Sequence, residues 1–195
     1  MTFDFSEFKN KKIIVTGSST GIGFETGIEF LNLGANVIFH GNQSINDLEA
    51  RIKSKSQSQN FKIFKSDFTD LSQVDNFMNN AINYLNGLDI LVNNAGTMVG
   101  RYQLETISEK DFLKIFDLNA KSAYFAIKSA CTIFKEQNYG NIINVSTISA
   151  RTGGSAGSSV YAASKAFVSG ITRSLVSELS PVSYTHLRAH ETLLD

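Results

Sequence analysis

The sequence predicts an α/β fold in which a doubly wound parallel sheet carries helices on both faces. Five short apolar runs alternate with longer segments of helical spacing, and a glycine-rich turn follows the first run. The runs span residues 13–15, 37–39, 61–64, 90–92 and 142–145. Most of them show no alternation of apolar and polar residues, which is typical of strands buried on both faces of a sheet. Strands and helices in strict alternation favour right-handed crossovers and a parallel order.

Two segments between the runs have clear helical spacing. The first places five apolar residues on one face: Leu71, Val74, Met78, Ala81 and Leu85. A longer segment does the same with Phe112, Ile115, Phe116, Ala123, Ile127, Ala130 and Phe134. Stripes of this width predict helices that pack against the sheet.

The composition fits one globular domain and excludes several classes of function. The 195 residues are 42% apolar, and the 18 basic side chains equal the 18 acidic ones. This balance gives no reason to expect nucleic acid or a membrane as a partner. Cys131 is the one cysteine, so no intrachain disulfide can form, and the acidic first residues do not resemble a signal peptide. We therefore expect a cytoplasmic protein without a transmembrane segment.

The first apolar run leads into a turn at residues 16–23 that reads Thr-Gly-Ser-Ser-Thr-Gly-Ile-Gly. Glycines let the backbone turn sharply and let a pyrophosphate approach, and the following helix offers unpaired N–H groups to the anion. The turn therefore predicts a Rossmann-like dinucleotide site, although its spacing differs from the Gly-x-Gly-x-x-Gly fingerprint and an ordinary βα turn is the alternative. The residues expected to contact the cofactor here are Gly17, Ser19, Thr20, Gly21, Ile22 and Gly23.

Further short segments follow in a specific order along the chain. They are Asp67 after the third run, Asn93-Asn94-Ala95-Gly96 closing the fourth, Asn119 in the longer helical segment, and Tyr161-Ala162-Ala163-Ser164-Lys165 after the fifth. Together with residues 16–23, they resemble the signature of the short-chain dehydrogenase/reductase family over residues 11–180. Within the family, the sequence is similar to 3-oxoacyl-carrier-protein reductases. The resemblance implies hydride transfer between NADP(H) or NAD(H) and a carbonyl or secondary alcohol.

Tyr161 and Lys165 are one helical turn apart, so they share a face of the predicted last helix. A free phenol ionises only near pH ~10, and a neighbouring ammonium favours the phenolate. Tyr161 is therefore the expected general acid and base, which donates a proton to the carbonyl oxygen as hydride arrives at carbon. By resemblance, Lys165 also holds the nicotinamide ribose. The alternative is an incidental surface pair.

The hydroxyl donor departs from the family pattern. Family members usually carry a serine at the end of a segment resembling Asn-x-Ser-Ser, and residues 144–147 read Asn-Val-Ser-Thr. Thr147 matches that serine and has the same hydroxyl on a stiffer side chain. If the strand stays extended, Ser149 shares a face with Thr147 while Ser146 points away. We expect Thr147 to act, with Ser149 second, and the alternative is that all three only cap the strand end.

The resemblance also assigns roles outside the Tyr–Lys pair. Asn119 would hold a water that passes protons toward Lys165, although a solvent-facing asparagine is the alternative. Asp67 would contact adenine, unless it is a plain turn residue. Asn93 would brace the sheet and the cofactor edge. Two small residues that follow it, Ala95 and Gly96, would line the cofactor site.

The end of the second run favours NADP over NAD. Residues 39–44 read Phe-His-Gly-Asn-Gln-Ser and contain no acid to bind a ribose 2′-hydroxyl or repel a 2′-phosphate. Asn42 and Ser44 are polar donors that can contact a phosphate, whereas Lys12 and Arg51 are only distant candidates. We interpret His40 as a strand-end residue rather than a catalytic base.

The last residues read differently from the rest. Residues 182–192 resemble the conceptual translation of a transposase adapter used in preparing DNA sequencing libraries, with a genuine divergent C-terminus as the alternative. We therefore expect residues 1–181 to form an NAD(P)-binding catalytic domain that is truncated before its last strands, and residues 182–195 to be non-native. His186 and His190 fall in this tail, and no metal site is expected.

Two classes of function remain open. The first is an oxidoreductase that acts on a small carbonyl or alcohol substrate, with the catalytic residues Tyr161, Lys165, Thr147 and Asn119. The second is a nucleotide-binding protein without turnover, or an inactive fragment of a reductase. By resemblance, the parent protein is expected to be a homodimer or homotetramer.

Overall fold

The computed structural model describes residues 5–43, 45–179 and 187–191. The strands are β1 (Lys12–Val15), β2 (Asn36–Gly41), β3 (Phe61–Lys65), β4 (Ile90–Asn93), β5 (Asn141–Thr147) and β6 (Leu187–Glu191). The helices are α1 (Gly21–Asn32), α2 (Leu48–Lys55), α3 (Leu71–Leu85), α4 (Glu109–Phe116), α5 (Ser122–Gln137), α6 (Ser149–Thr152) and α7 (Ser159–Leu179). A short 3-10 turn, Ser6–Phe8, precedes β1, and a π-helical turn, Asp117–Lys121, joins α4 to α5.

The strands form one parallel sheet in the order β3-β2-β1-β4-β5-β6. The chain order reverses at β1, which has β2 on one side and β4 on the other. In sheets of this kind, the loops that leave the carboxyl ends of the two central strands diverge and open a crevice. The fold therefore places a ligand cleft above β1 and β4.

Successive residues of each strand face opposite layers of helices. Ile13 and Val15 pack with α1 and α2 on one face, while Ile14 packs with α3 and α5 on the other. α7 contacts β5 and α5, so it covers the same face as α3. The predicted doubly wound parallel sheet with helices on both faces is confirmed. Among the described residues, no helix is both long enough and apolar enough to span a membrane.

The sheet has one strand more than the sequence predicted. We expected no strand after Pro181, yet β6 pairs in parallel with β5, in a register from Ile143 opposite Leu187 to Thr147 opposite Glu191. The outer edge of β5 offers a row of unpaired N–H and C=O groups, and an extended segment beside it satisfies them. The segment 187–191 contains no β-branched or aromatic residue, so its composition did not indicate a strand. The other tail residues, 182–186 and 192–195, lie outside the described residues, and the non-native tail stays a prediction.

The longer helical segment is not one continuous helix. The π-helical turn at Asp117–Lys121 adds a residue to the turn and changes the helical register between α4 and α5. Ile115, Ala123 and Ile127 are buried as predicted, whereas Phe112 is exposed. Phe112 was placed on the buried face from its spacing, but it lies in the first turn of α4 and is 43% exposed.

Candidate active site

The glycine turn between β1 and α1 uses its glycines for two different reasons. Gly17 and Gly21 have φ angles of 62° and 59°, which side chains rarely tolerate. A Cβ on Gly17 would also come 2.7 Å from the Ala95 Cα, and one on Gly23 would come 2.3 Å from the Asn94 Nδ2. A Cβ on Gly21 would meet nothing within 4 Å, so this glycine faces open space at the start of α1. The turn thus packs tightly against the loop after β4 and stays open toward the cleft.

The N-terminus of α1 is exposed on the side of the turn that faces the cleft. The hydroxyl of Thr20, the residue before the helix, makes no capping hydrogen bond, and Ile22 is 51% exposed. N–H groups in the first turn of a helix need an outside partner, and an anion suits them. Ser19 lines the cleft, whereas Ser18 is buried and donates to the Val15 carbonyl oxygen at 2.6 Å. Ser18 therefore supports the backbone of the turn, whereas Ser19 faces the cleft.

Asn94 braces this turn, a role that sequence reasoning missed. Its Nδ2 donates to the carbonyl oxygens of Thr16 at 3.0 Å and Gly17 at 2.9 Å. In return, the Thr16 hydroxyl oxygen accepts from the backbone N–H groups of Asn94 and Ala95, each at 3.0 Å. These bonds tie the end of β1 to the end of β4. The doubled asparagine of residues 93–94 was the available signal.

Asn93 lies within the sheet rather than in the cleft. It is buried, and its Nδ2 donates to the Asn144 Oδ1 at 3.0 Å and to the Ala123 carbonyl oxygen at 3.4 Å. Asn93 thus braces β4 against β5 and α5. Ala95 and Gly96 line the described cleft, but Asn93 does not. Successive strand residues point to opposite faces, which is why only one asparagine of the pair reaches the glycine turn.

His40 is a structural residue of the site rather than only a strand end. Its Nδ1 accepts the Gly17 N–H at 2.8 Å, and its Nε2 lies 3.1 Å from the Ser66 carbonyl oxygen, to which it donates. The ring stacks on Phe68 with 4.0 Å between centroids. Burial lowers the pKa of His40 from 6.5 to about 4, although the bond to Ser66 and the charge of Asp67 act in the opposite direction. The imidazole is therefore neutral at pH 7.

Asp67 and Asn42 meet at the ends of β3 and β2. The Asp67 Oδ1 accepts the Thr69 N–H at 2.9 Å and the Thr69 hydroxyl at 2.8 Å. Partial burial raises the pKa of Asp67, but the bonds from Thr69 and from the Asn42 side chain outweigh it, so the pKa lies below its ordinary value. Both residues line the cleft. Asp67 is thus a turn residue and a charged cleft residue at once.

The two basic residues considered for a phosphate lie far apart. Lys12 is the first residue of β1, so it lies at the amino ends of the strands, away from the cleft at their carboxyl ends. Its Nζ donates to the Asn86 carbonyl oxygen. Arg51 was expected to be distant, but its Nη1 donates to the Ser19 carbonyl oxygen at 2.9 Å. The fold of α2 back toward the glycine turn brings it there. Ser44 lies outside the described residues.

Tyr161 and Lys165 occupy the first turns of α7 and are almost fully buried. They are 5% and 3% exposed, respectively, so they are not an incidental surface pair. The Lys165 Nζ donates to the Val145 carbonyl oxygen at 3.1 Å, which ties α7 to β5. A buried ammonium costs free energy unless it is well partnered, and this bond to the β5 backbone is one of its partners.

Asn119 lies in the π-helical turn and is fully buried, so the alternative of a solvent-facing asparagine is excluded. Its Nδ2 donates to the carbonyl oxygens of Thr97 and Ile115, both at 2.8 Å. Its Oδ1 has no hydrogen-bond partner among the described residues. A Cβ on Gly96 would come 2.4 Å from that Oδ1 and 2.8 Å from the Lys165 Nζ. The orphaned oxygen and the ammonium therefore converge on the same small space beside Gly96.

The three hydroxyl residues after Asn144 separate in space. Ser146 faces α7, where its Oγ lies 2.9 Å from the Ser169 Oγ. Thr147 is fully buried at the end of β5, and its Oγ1 accepts the Ser149 N–H at 3.3 Å. The strand does not stay extended to Ser149, because Ile148 has helical angles and α6 begins at once. The argument that Thr147 and Ser149 share a strand face is therefore wrong, while Ser146 points away from the site as predicted.

The cleft has the parts that a nicotinamide dinucleotide needs. It is lined by Gly17, Ser19, His40, Gly41, Asn42, Gln43, Ser66, Asp67, Phe68, Thr69, Ala95, Gly96, Thr97, Val99, Lys114 and Leu118. A glycine-rich turn and an open helix start suit the pyrophosphate. Gly96 lines this cleft and also borders the space between Asn119 and Lys165, so the cleft extends to the Lys165 ammonium.

A protein-family model described as short chain dehydrogenase matches residues 11–185. The chain is 32% identical over 165 residues to the hydroxynaphthalene reductase-like protein Arp2 of Metarhizium acridum, with 84% of this chain and 61% of the relative covered. It is 36% identical over 181 residues to a 3alpha-hydroxysteroid dehydrogenase of Mediterraneibacter gnavus, with 90% and 70% covered. The chain thus spans only about three fifths of the length of the first relative.

Solved structures give the same result. A crystal structure of the NADH-dependent reductase A1-R' complexed with NAD is similar with a TM-score of 0.89 and 30% identity, over 96% of this chain and 80% of that one. A short chain dehydrogenase from Burkholderia cenocepacia, in complex with NADP, is similar with a TM-score of 0.83 and 28% identity, over 94% and 74%. The similar structures therefore include both nicotinamide dinucleotides.

Proposed function

Because the chain belongs to the short chain dehydrogenase family, we propose that its parent protein is an oxidoreductase. It transfers a hydride between NADP(H) or NAD(H) and the carbon of a small carbonyl or secondary alcohol. The observation that carries this proposal is the convergence of the buried Lys165 ammonium and the Asn119 amide oxygen beside Gly96, at the mouth of the glycine-turn cleft. A chain that only bound nucleotide would have no need to keep Tyr161 paired with this ammonium.

The residues of the chain divide the chemistry among them. When bound, the nicotinamide supplies or accepts the hydride. Tyr161 gives its hydroxyl proton to the substrate oxygen in reduction and takes it back in oxidation. Lys165, one turn further along α7, stabilises the phenolate with its charge and holds the nicotinamide ribose.

Two further side chains support the proton transfer. The Thr147 hydroxyl, at the end of β5, donates to the substrate oxygen and so positions it. The orphaned Asn119 Oδ1 accepts a hydrogen bond from a water that relays protons toward Lys165. The role of Asn119 matches the family pattern, whereas Thr147 replaces the usual serine, and Ser149 is the second candidate for the hydroxyl donor.

The cofactor would lie along the cleft, over residues that carry few charges of their own. The glycine turn and the start of α1 hold the pyrophosphate, through Gly17, Ser19, Thr20, Gly21, Ile22 and Gly23. Asp67 contacts the adenine, and Ala95 and Gly96 line the nicotinamide half. Asn42 donates to a phosphate on the adenosine ribose, while Asn93 acts indirectly by holding β4 in place.

Turnover with a panel of ketones tests the proposal. The 195-residue chain and the variants Tyr161→Phe and Tyr139→Phe are assayed with NADPH and with NADH. Tyr139→Phe is the control, because Tyr139 follows the C-terminal end of α5, away from the site. We expect Tyr161→Phe to lower kcat by about 10²- to 10⁴-fold, because only a positioned proton donor is lost, and Tyr139→Phe to leave it unchanged. Cofactor binding without turnover in the wild-type chain would favour the second candidate function, a nucleotide-binding protein or inactive fragment.

We also propose that the parent forms a homodimer or homotetramer. Phe112, Tyr124 and Phe167 are large, partly exposed side chains on α4, α5 and α7, and Phe116 bridges two of them, with ring centroids 6.1 Å and 5.7 Å away. Aromatic patches of this kind are typical of interfaces. Light scattering of wild type and Phe167→Glu measures the mass, and a monomer in both would contradict the proposal.

The domain boundary stays a proposal as well. Residues 1–181 are taken as the catalytic domain and residues 182–195 as a non-native tail. Resequencing the source DNA beyond the Pro181 codon tests this. A continuing reductase sequence supports the boundary, whereas DNA that encodes residues 182–195 and then stops contradicts it.

A further inference from the structure

Arg51 is fixed against the glycine turn rather than extended into solvent. Its Nη1 donates to the Ser19 carbonyl oxygen at 2.9 Å, and its guanidinium carbon lies 4.6 Å from the centroid of the Phe24 ring. The side chain is nevertheless 34% exposed. A guanidinium that is held by one hydrogen bond and by an aromatic face keeps its other donors in a defined orientation.

Ser19 connects this cation to the end of β2. A Cβ on Gly41 would come 2.7 Å from the Ser19 Cβ, so the turn and the strand end touch. Ser19 and Gly41 both line the cleft, together with Asn42 and Gln43. In dinucleotide-binding folds, the residues that follow the second strand meet the hydroxyl groups of the adenosine ribose. Arg51 therefore borders the place where the ribose 2′ position is expected.

The charges around this place suit a phosphate. Gly41, Asn42 and Gln43 carry none, so no carboxylate at the end of β2 repels an anion or claims a 2′-hydroxyl. The Asp67 carboxylate keeps its charge and is held by Thr69 and Asn42 at the ends of β3 and β2. Asp47 approaches the Arg51 Nη1 only at 4.0 Å and is 69% exposed, so water weakens that ion pair.

We propose that Arg51 selects NADP(H) over NAD(H) by binding the 2′-phosphate of the adenosine ribose. This inference rests on the proposed function, because it names the cofactor of the same site. The planar fork of a guanidinium matches two phosphate oxygens, and the contacts to Ser19 and Phe24 reduce the ordering cost on binding. The similar solved structures contain either dinucleotide, so the choice depends on residues of this chain.

Nicotinamide fluorescence titrations test the assignment. The Kd values of NADPH and NADH are measured for the 195-residue chain, for Arg51→Gln and for the control Lys53→Gln. We expect Arg51→Gln to raise the Kd of NADPH by about 10- to 100-fold and to change the Kd of NADH by no more than about twofold. Lys53→Gln removes the same charge from the same helix, but its ammonium pairs with Glu49 at 2.6 Å on an exposed face, so neither Kd should change.

The ratio of the two Kd values separates recognition from bracing. Equal weakening of NADPH and NADH in Arg51→Gln would overturn the assignment and leave Arg51 as a brace of the glycine turn. Unchanged values would overturn it too. Binding of neither dinucleotide by the wild-type chain would overturn the proposed function itself.

A measurement without substitutions guards against a variant that fails to fold. The wild-type chain should bind adenosine 2′,5′-bisphosphate at least about tenfold more tightly than 5′-AMP, and this preference should shrink as salt rises. Equal affinity for the two ligands would overturn the assignment. Arg51→Lys adds a graded check, because a point charge without the fork should retain only part of the NADPH preference.

Discussion

The His40 Nδ1 accepts a hydrogen bond from the Gly17 N–H at 2.8 Å, so the conformation of the glycine turn depends on a neutral imidazole. The backbone N–H of His40 in turn donates to the Ser18 hydroxyl at 2.8 Å. These bonds fix the turn from the side of β2, while Asn94 fixes it from the side of β4. The turn is therefore held from both sides by hydrogen bonds that single substitutions can remove.

His40 makes stability depend on pH. In the unfolded chain the imidazole takes up a proton below about pH 6.5, whereas the folded chain keeps it neutral down to about pH 4. The unfolded state therefore binds more protons in this interval, and the free energy of unfolding falls as the pH falls, by up to about 3 kcal/mol. Urea unfolding at pH 7.5 and pH 4.5 measures the difference.

The variant His40→Asn isolates this contribution. Asparagine keeps an acceptor near the Gly17 N–H but does not titrate, so the fall between the two pH values should shrink by about 2–3 kcal/mol. Its stability at pH 7.5 should also be lower, because the stack on Phe68 is lost. An equal fall in wild type and variant would show that His40 is not the cause.

Gly96→Ala should damage turnover more than stability. The new methyl group would meet the Asn119 Oδ1 and the Lys165 Nζ, and displacing either group disturbs the proton path. We expect kcat to fall by about 100-fold, as for a small misplacement of reacting groups. Gly170→Ala on α7 is the matched control, because its methyl group meets nothing within 4 Å. The control should unfold at the same or a slightly higher temperature with unchanged kcat, and a drop in kcat there would contradict this account.

Asn94→Asp should loosen the glycine turn. The amide donates to two carbonyl oxygens, and a carboxylate in its place would repel both. The free energy of unfolding should fall by about 2–3 kcal/mol, and NADPH binding should weaken. Asn79→Asp, an exposed position on α3, should change the stability by less than about 0.5 kcal/mol. Chemical unfolding measures the free energy of unfolding of both variants. Equal losses in the two would contradict the role of Asn94 in bracing the turn.

Substitutions at Thr147 and Ser149 identify the hydroxyl donor. Thr147→Val keeps the shape but removes the hydroxyl and should lower kcat by about 10²- to 10³-fold, whereas Thr147→Ser should retain most of it. Ser149→Ala should lower kcat by less than about tenfold. The reverse order, with Ser149→Ala the more damaging, would transfer the role to Ser149. Steady-state kinetics with one ketone substrate distinguishes the two.

Much of the fold could be predicted from the sequence, because the signals are local. Ile13, Ile14 and Val15 form an unbroken apolar run, and a strand with helices on both sides needs this. The spacing of Val74, Met78 and Ala81 predicted α3 for the same kind of reason. β6 escaped prediction, because what makes it a strand is the open edge of β5 rather than its own residues.

Some features of the candidate site could also be predicted from local signals, and others could not. The positions of Tyr161 and Lys165 followed from their spacing on one helix, and the structure adds that both are buried. The contacts of Arg51 and His40 depend on where α2 and β3 come to lie, which no short-range pattern records. The π-helical turn at Asn119 could not be read from the spacing, because an inserted residue leaves the composition unchanged.

By itself, the sequence determined the fold class, the glycine turn and the order of the family's catalytic residues, because each depends on residues adjacent in the chain or one helical turn apart. Only the tertiary structure decided which asparagine of residues 93–94 braces the turn and where the Arg51 guanidinium points. It also decided that the Asn119 oxygen and the Lys165 ammonium meet beside Gly96. Such contacts join distant segments, and packing of the helices against the sheet brings those segments together.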